Sequence, residues 1–229
     1  MTETIVLSLG GSIIAPEQVD TQFLTKFKQA IEKYLDTYPG KRLIIVTGGG
    51  SPARTYQKAY RTIMEEHDAD EQDWIGIAAT RLNGALVKAL FPRFCRATLV
   101  TDPTADLEFT GRVLVATGWK PGFSTDTDAV LLAERFGAKT LINLSNIAKV
   151  YSADPKTDPT AFPIDSIGWE GFRQIVGETW SPGKNVPFDP IASKQAQKMQ
   201  LKVICADGRN IDNTIAILEG RSFEGTVIG

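Results

Sequence analysis

The sequence predicts an α/β fold built on a mainly parallel sheet with helices on both faces. Three observations predict it. Short β-branched runs alternate with longer segments whose apolar residues recur at helical spacing. The strand-like runs are nearly continuous in apolar residues, as in sheets buried on both sides. Clusters of glycine follow the strand-like runs, where parallel sheets collect their ligands.

The elements follow in order. Residues 5–9 read as the first strand. Asp20 is placed to cap a helix in which Phe23, Phe27, Ala30, Ile31, Tyr34, Leu35 and Tyr38 share one side, and Gly40 ends it. Residues 43–47 form a second strand, and helices follow over 53–66 and 72–90. Residues 98–101 and 113–117 read as strands, and Ala129, Leu132, Ala133 and Phe136 mark a helix before a strand at 140–144. The Asp-, Pro- and Thr-rich stretch 152–168 reads as a loop or hairpin between two halves. A helix at 191–200, a strand at 202–206, a helix at 213–219 and a last strand at Thr226–Ile228 complete the chain, with no internal repeat or low-complexity tract.

Length and composition narrow the function. A chain of 229 residues is long enough for one α/β domain with a full core. With 42% hydrophobic and 23% charged residues it has ordinary globular composition. A net charge of −2 argues against general attraction to nucleic acid or membrane. Cys95 and Cys205 sit in apolar surroundings and read as buried free thiols. The N-terminus has no basic region and its apolar run breaks at Gly10-Gly11, so the expectation is a cytoplasmic protein. The one histidine, His67, lies in an acidic stretch and reads as a bystander. No residue is nominated as a metal ligand.

Three loops carry the chemistry. Leu9-Gly10-Gly11-Ser12 follows the first strand and Thr47-Gly48-Gly49-Gly50-Ser51 the second. Consecutive glycines let backbone approach a ligand closely, and a helix beginning just after adds partial positive charge, so phosphate is the natural guest. A tight strand-to-helix turn would account for one such loop; two in succession point to a phosphate site. There is no Walker A spacing, and Gly48, Gly50 and Ala53 match the dinucleotide pattern only on the second strand. Arg54, expected in the first turn of the following helix, could clamp phosphate oxygens. The third loop, Gly118-Trp119-Lys120-Pro121-Gly122-Phe123-Ser124-Thr125-Asp126, holds a cation, two hydroxyls and flexible backbone before a helix. Thr125 or Asp126 could serve there simply as the helix cap. Asp189 before Pro190 is a good N-cap in its own right, with orientation of a cation or magnesium as its second reading.

These loops, in this order, resemble the amino acid kinase family. Ser145-Asn146-Ile147-Ala148-Lys149-Val150-Tyr151-Ser152-Ala153-Asp154-Pro155, followed by Lys156-Thr157-Asp158-Pro159-Thr160-Ala161, is similar to the nucleotide-binding stretch of its UMP kinase branch. Phe188-Asp189-Pro190-Ile191-Ala192-Ser193-Lys194 resembles a later helix start of the family. Asp73-Trp74-Ile75-Gly76-Ile77, with Thr80-Arg81-Leu82-Asn83, resembles the acceptor-site helix of archaeal-type members. The resemblance implies a three-layer αβα sandwich in a single domain over residues 1–229, with an acceptor-binding half at about 1–137 and a nucleotide-binding half at about 138–229. It implies Mg-ATP as phosphoryl donor, UMP as acceptor, and a homo-oligomer, typically a hexamer. Gly49, Asp73 and the loop Trp119, Lys120, Pro121, Gly122, Phe123, Ser124 and Thr125 would hold UMP. Gly10, Gly11, Gly50 and Arg54 would surround the phosphates, and Ser145, Asn146, Tyr151 and Asp154 the ATP nucleoside.

Two departures stand out. Many family members carry a Lys two residues before the first glycine pair, where this chain has Ser8. Lys120 in the acceptor loop is an addition that could supply the missing charge, which makes Lys120, Arg54 and Asp189 the candidate catalytic residues. Ile147-Ala148-Lys149 replaces the family's usual Val-Asp-Gly and leaves donor preference open. The alternatives are another kinase of this fold, such as isopentenyl phosphate kinase, or a non-catalytic nucleotide binder. The first typically needs a catalytic His that no glycine loop here contains.

Overall fold

The computed structural model describes residues 2–179 and 186–229. In chain order the elements are β1 (Glu3–Leu9), α1 (Gly11–Ile14), α2 (Thr21–Thr37), β2 (Lys41–Thr47), α3 (Gly50–Ile63), α4 (Ala69–Leu90), β3 (Val113–Ala116), α5 (Thr125–Arg135), β4 (Thr140–Ser145), β5 (Val150–Tyr151), β6 (Pro163–Ile164), β7 (Ser166–Ile167), α6 (Trp169–Val176), α7 (Pro190–Lys198), β8 (Lys202–Asp207), α8 (Ile211–Leu218) and β9 (Thr226–Ile228). One seven-stranded sheet runs β3-β2-β1-β4-β8-β9-β7. Its first five strands are parallel, β9 is antiparallel to β8, and β7 is parallel to β9. The stretch after β4 closes as the small β5–β6 hairpin, as its composition suggests.

Alternation along the strands splits the core into two layers. Ile5, Leu7 and Leu9 of β1 face one way, with Phe23, Phe27, Ile31 and Leu35 of α2, Val87 of α4 and Ile217 of α8. Val6 faces the other way, with Val130 and Leu132 of α5, Phe172 of α6 and Ala192 and Ala196 of α7. Helices on both faces of a mainly parallel sheet make the three-layer αβα sandwich. Asp20 caps α2 as expected, its Oδ1 accepting from the Phe23 amide at 2.8 Å. Asp189 Oδ1 likewise caps α7, accepting from the Ala192 amide at 2.8 Å. Cys95 and Cys205 are free and buried.

Three expectations need correcting. Residues 98–101 make no strand, only a single bridge from Val100 to Ala116, because the segment runs past the edge strand β3 instead of joining it. The helix expected at 53–66 begins at Gly50, so Arg54 stands in its second turn. Helix α6 was not anticipated; Trp169, Phe172 and Val176 lie on its buried side, but Gly171 in its interior weakens the local signal.

Candidate functional site

Strands β3, β2, β1 and β4 are neighbours, and the loops leaving their carboxyl ends carry most of the residues singled out in the sequence. The first two loops are pressed backbone to backbone. A Cβ on Gly11 would stand 2.0 Å from the Gly50 nitrogen, and one on Gly48 2.4 Å from the Gly11 nitrogen. Gly50 adopts φ +68°, a conformation glycine reaches without strain. The Gly10 amide donates to Leu144 O at 2.9 Å and the Gly48 amide to Leu9 O at 3.0 Å. Any contact of Gly10 with a ligand therefore comes from other atoms. Gly11 and Ser12 are the first residues of α1, so their amides have no acceptor within the helix. Asn83, on the buried side of α4, fixes the second loop by donating from Nδ2 to Gly48 O at 2.8 Å and Gly49 O at 3.1 Å. Arg54 is exposed and donates from Nη2 to Pro16 O at 3.1 Å, which ties α3 to the chain after α1.

The loop after β3 is held by side chains. The Gly118 amide donates to Thr80 Oγ1 at 2.9 Å, the Trp119 amide to Asp128 Oδ2 at 3.2 Å and the Gly122 amide to Asp73 Oδ2 at 3.0 Å. Arg81 Nη2 reaches Trp119 O at 3.4 Å. Lys120 lays its ammonium over the Trp119 ring, 3.9 Å from the centroid, and 5.0 Å from that of Phe123. The loop thus presents a cation held by aromatic faces. Ser124, rather than Thr125 or Asp126, caps α5, its Oγ accepting from the Thr127 amide at 3.2 Å. Between the second and third loops lies a cavity of about 310 Å³ lined by Gly49, Gln57, Asp73, Thr80, Phe123 and Thr125, among others.

Freed from capping, Asp126 turns to the sheet. Its Oδ1 accepts from the Ser8 hydroxyl at 3.2 Å and its Oδ2 from the Asp189 amide at 3.2 Å. Burial, with the Asp189 charge second, pushes the Asp126 carboxyl up to about 7. Burial also raises the Asp189 carboxyl. Asp189 Oδ2 is buried and finds no partner. Next to Ser8 in the register lies Asn143 on β4, buried and donating to Pro187 O at 2.8 Å. Ser8, Asn143, Asp126 and Asp189 thus form a polar seam through an otherwise apolar sheet centre.

The remaining nominated residues gather after β4. Ser145 Oγ is buried without a partner, Asn146 is exposed, and Tyr151 stands on β5. Asp154 closes a turn, accepting from the Lys156 amide at 2.9 Å. Lys149 is ion-paired to Asp165, which turns it to the β5–β6 side. His67 is exposed and outside all of these loops. Sequence reasoning passed over Asp126, Asp128, Asn83, Thr80 and Asn143 as site residues. For two of them a signal was present: Asn83 and Asn143 each interrupt a buried apolar face. Among the described residues no group of three or more His, Cys, Asp or Glu could hold a metal ion, and no helix is long and apolar enough to cross a membrane.

Comparison with known proteins places the chain in a family. The family model for the amino acid kinase family matches residues 3–207. The uridylate kinase of Thermoplasma volcanium is 37% identical over 227 residues, covering 96% of this chain and 95% of the relative. That of Archaeoglobus fulgidus is 36% identical over 228 residues, covering 98% and 99%. The crystal structure of the Archaeoglobus fulgidus uridylate kinase superposes with a TM-score of 0.82 at 34% identity, covering 98% of this chain and 99% of that one. The UMP kinase of Bacillus anthracis shares the fold, with a TM-score of 0.77 at 18% identity. With a family model matched over residues 3–207 and relatives matched over nearly their full length, the chain belongs to the amino acid kinase family.

Proposed function

We propose that the chain is an ATP-dependent kinase that transfers the γ-phosphoryl group of ATP to UMP, giving UDP and ADP. The observation that carries this reading is the cavity between the second glycine loop and the loop after β3, with Asp73 on its wall. The full-length likeness to archaeal uridylate kinases supports UMP as its guest. In this reading Gly49, Asp73 and residues 119–125 hold UMP. Gly10, Gly11, Gly50 and Arg54 surround the phosphates. Ser145, Asn146, Tyr151 and Asp154 hold the ATP nucleoside. Residues 1–137 then form the acceptor half and 138–229 the donor half of one domain.

The chemistry asks for alignment and charge neutralisation more than for a base. A phosphate oxygen of UMP attacks the γ-phosphorus in line, and the bond to the β,γ-bridging oxygen breaks. The attacking oxygen is already anionic, so no proton needs removing. Lys120, its ammonium held over the Trp119 ring, would supply the positive charge that Ser8 leaves out of the first strand. The residues present fit a magnesium ion arriving with the nucleotide, since such an ion needs only one or two carboxylates besides phosphate oxygens. Asp189, with its buried unpartnered Oδ2, would hold it. Bound there, magnesium neutralises charge on the phosphate oxygens. Asp126 orients the Ser8 hydroxyl and the Asp189 backbone beside it.

A homo-oligomer in the cytoplasm is part of the proposal. Tyr56, Ile63 and Leu82 stand 70%, 77% and 67% exposed on α3 and α4, apolar side chains that a second copy could cover. The test of function is ADP release from Mg-ATP with UMP, CMP, isopentenyl phosphate or acetylglutamate. UMP is expected to give the highest kcat/KM. ATP binding without ADP formation would make the chain a nucleotide binder, and preference for isopentenyl phosphate would move it to that branch.

A further inference from the structure

Asp128 lies on α5 with no solvent exposure. Its Oδ2 accepts from the Trp119 amide at 3.2 Å, while its Oδ1 is buried with no partner. Burying a carboxyl with one oxygen unsatisfied is costly. Burial pushes this carboxyl up to about 7 against the opposing effect of the Trp119 amide, with Asp126 and Asp102 adding to the rise. The single bond to Trp119 is what the residue offers in return.

The far side of the same residue is held too. Arg81, on α4, donates to the Trp119 carbonyl at 3.4 Å, and its guanidinium lies 5.8 Å from the centre of the Trp74 ring. The main chain of Trp119 is therefore gripped at its N–H from α5 and at its C=O from α4. Its ring in turn carries the Lys120 ammonium, 3.9 Å from the centroid, and packs tilted against Phe123 at 4.8 Å. Phe123 lines the acceptor cavity. Moving Trp119 moves the cation and the cavity wall together.

We propose that Asp128 is a positioning residue, which together with Arg81 fixes the Trp119 main chain and so sets the acceptor loop for binding UMP. It does not touch the substrate; it acts through Trp119. The inference rests on the UMP kinase reading given above, yet its structural half can be tested without turnover. Asp128→Val puts an apolar side chain of similar size in its place and removes the acceptor. Asp128→Asn keeps an oxygen for the Trp119 amide.

Amide hydrogen exchange of the free protein comes first. In Asp128→Val the Trp119 amide is expected to exchange about tenfold faster, as for a lost hydrogen bond of roughly 1.4 kcal/mol. Amides of β1 and β4 should stay unchanged, and Asp128→Asn should restore most of the protection. Steady-state kinetics follows. Asp128→Val is expected to raise KM for UMP about tenfold and leave KM for ATP within about twofold, with Asp128→Asn recovering most of the loss. Unchanged Trp119 exchange in a folded Asp128→Val protein would overturn the proposal. So would a parallel rise in both KM values, or an Asp128→Asn protein as impaired as Asp128→Val. Should the wild type fail to turn over UMP while the exchange results hold, the reaction assignment fails and the loop clamp stands.

Discussion

The glycine-loop pair and the acceptor loop sit side by side over the same strand ends, yet they are held in opposite ways. The glycine loops are fixed by steric necessity: Gly11, Gly48 and Gly50 approach one another so closely that no side chain fits between them. The acceptor loop is fixed by four replaceable side chains, Asp73, Thr80, Arg81 and Asp128. Of its two glycines, Gly118 would set a Cβ 3.1 Å from Thr80 Oγ1, but Gly122 is lenient. Gly122 has φ +80°, but a Cβ there would meet nothing within 4 Å. The difference teaches where rigidity and adaptability are needed. The glycine-loop backbone has one arrangement, whereas the loop after β3 can be retuned residue by residue.

The largest expected effect comes from breaking the rigid side. Gly11→Ala forces a methyl against the Gly50 backbone and should destabilise the protein by about 3 kcal/mol or more, read as a lower midpoint in urea, with activity lost. Lys120→Ala attacks the adaptable side where its charge is held. It should lower kcat about 10²-fold while the KM for ATP stays within about twofold. An unchanged kcat would return Lys120 to an ordinary surface lysine. Gly122→Ala should cost only about 1 kcal/mol, from its backbone conformation alone. A loss as great as that of Gly11→Ala would erase the contrast between the loops.

A separate effect concerns pH. The Asp128 carboxyl stands at about 7 in the folded protein against an ordinary value near 3.8. Between these values the folded state binds more protons than the unfolded state, so stability falls as pH rises through that window. Asp128→Asn removes the penalty. Its thermal midpoint should exceed that of the wild type at pH 8, and the gain should vanish near pH 4. An equal gain at both values would mean that the carboxyl titrates normally.

Much of the fold was legible because its signals are local. Asp20 and Asp189 announce their helices as caps, and the apolar runs of β1, β2, β4 and β8 need no tertiary context to read as buried strands. What escaped depends on contacts distant in sequence. Residues 98–101 carry strand propensity yet pass the edge strand with one bridge, and α6 is stabilised by packing that outweighs Gly171. The glycine loops were legible as tight turns after strands, but not as each other's partners, since Gly11 and Gly48 meet only in the folded sheet. Asp73, which lines the cavity beside the loop after β3, was singled out through resemblance. Asp126 was not, because a carboxylate at a helix start reads first as a cap. Only the fold reveals that Ser124 has taken that role.

A crystal structure with UMP bound tests the central claim most directly. The account predicts the UMP phosphate at the Gly49–Gly50 backbone, its ribose beside Asp73 and its base under residues 119–125. UMP lodged instead beside Ser145, Tyr151 and Asp154, with the cavity around Asp73 left to solvent, would contradict it.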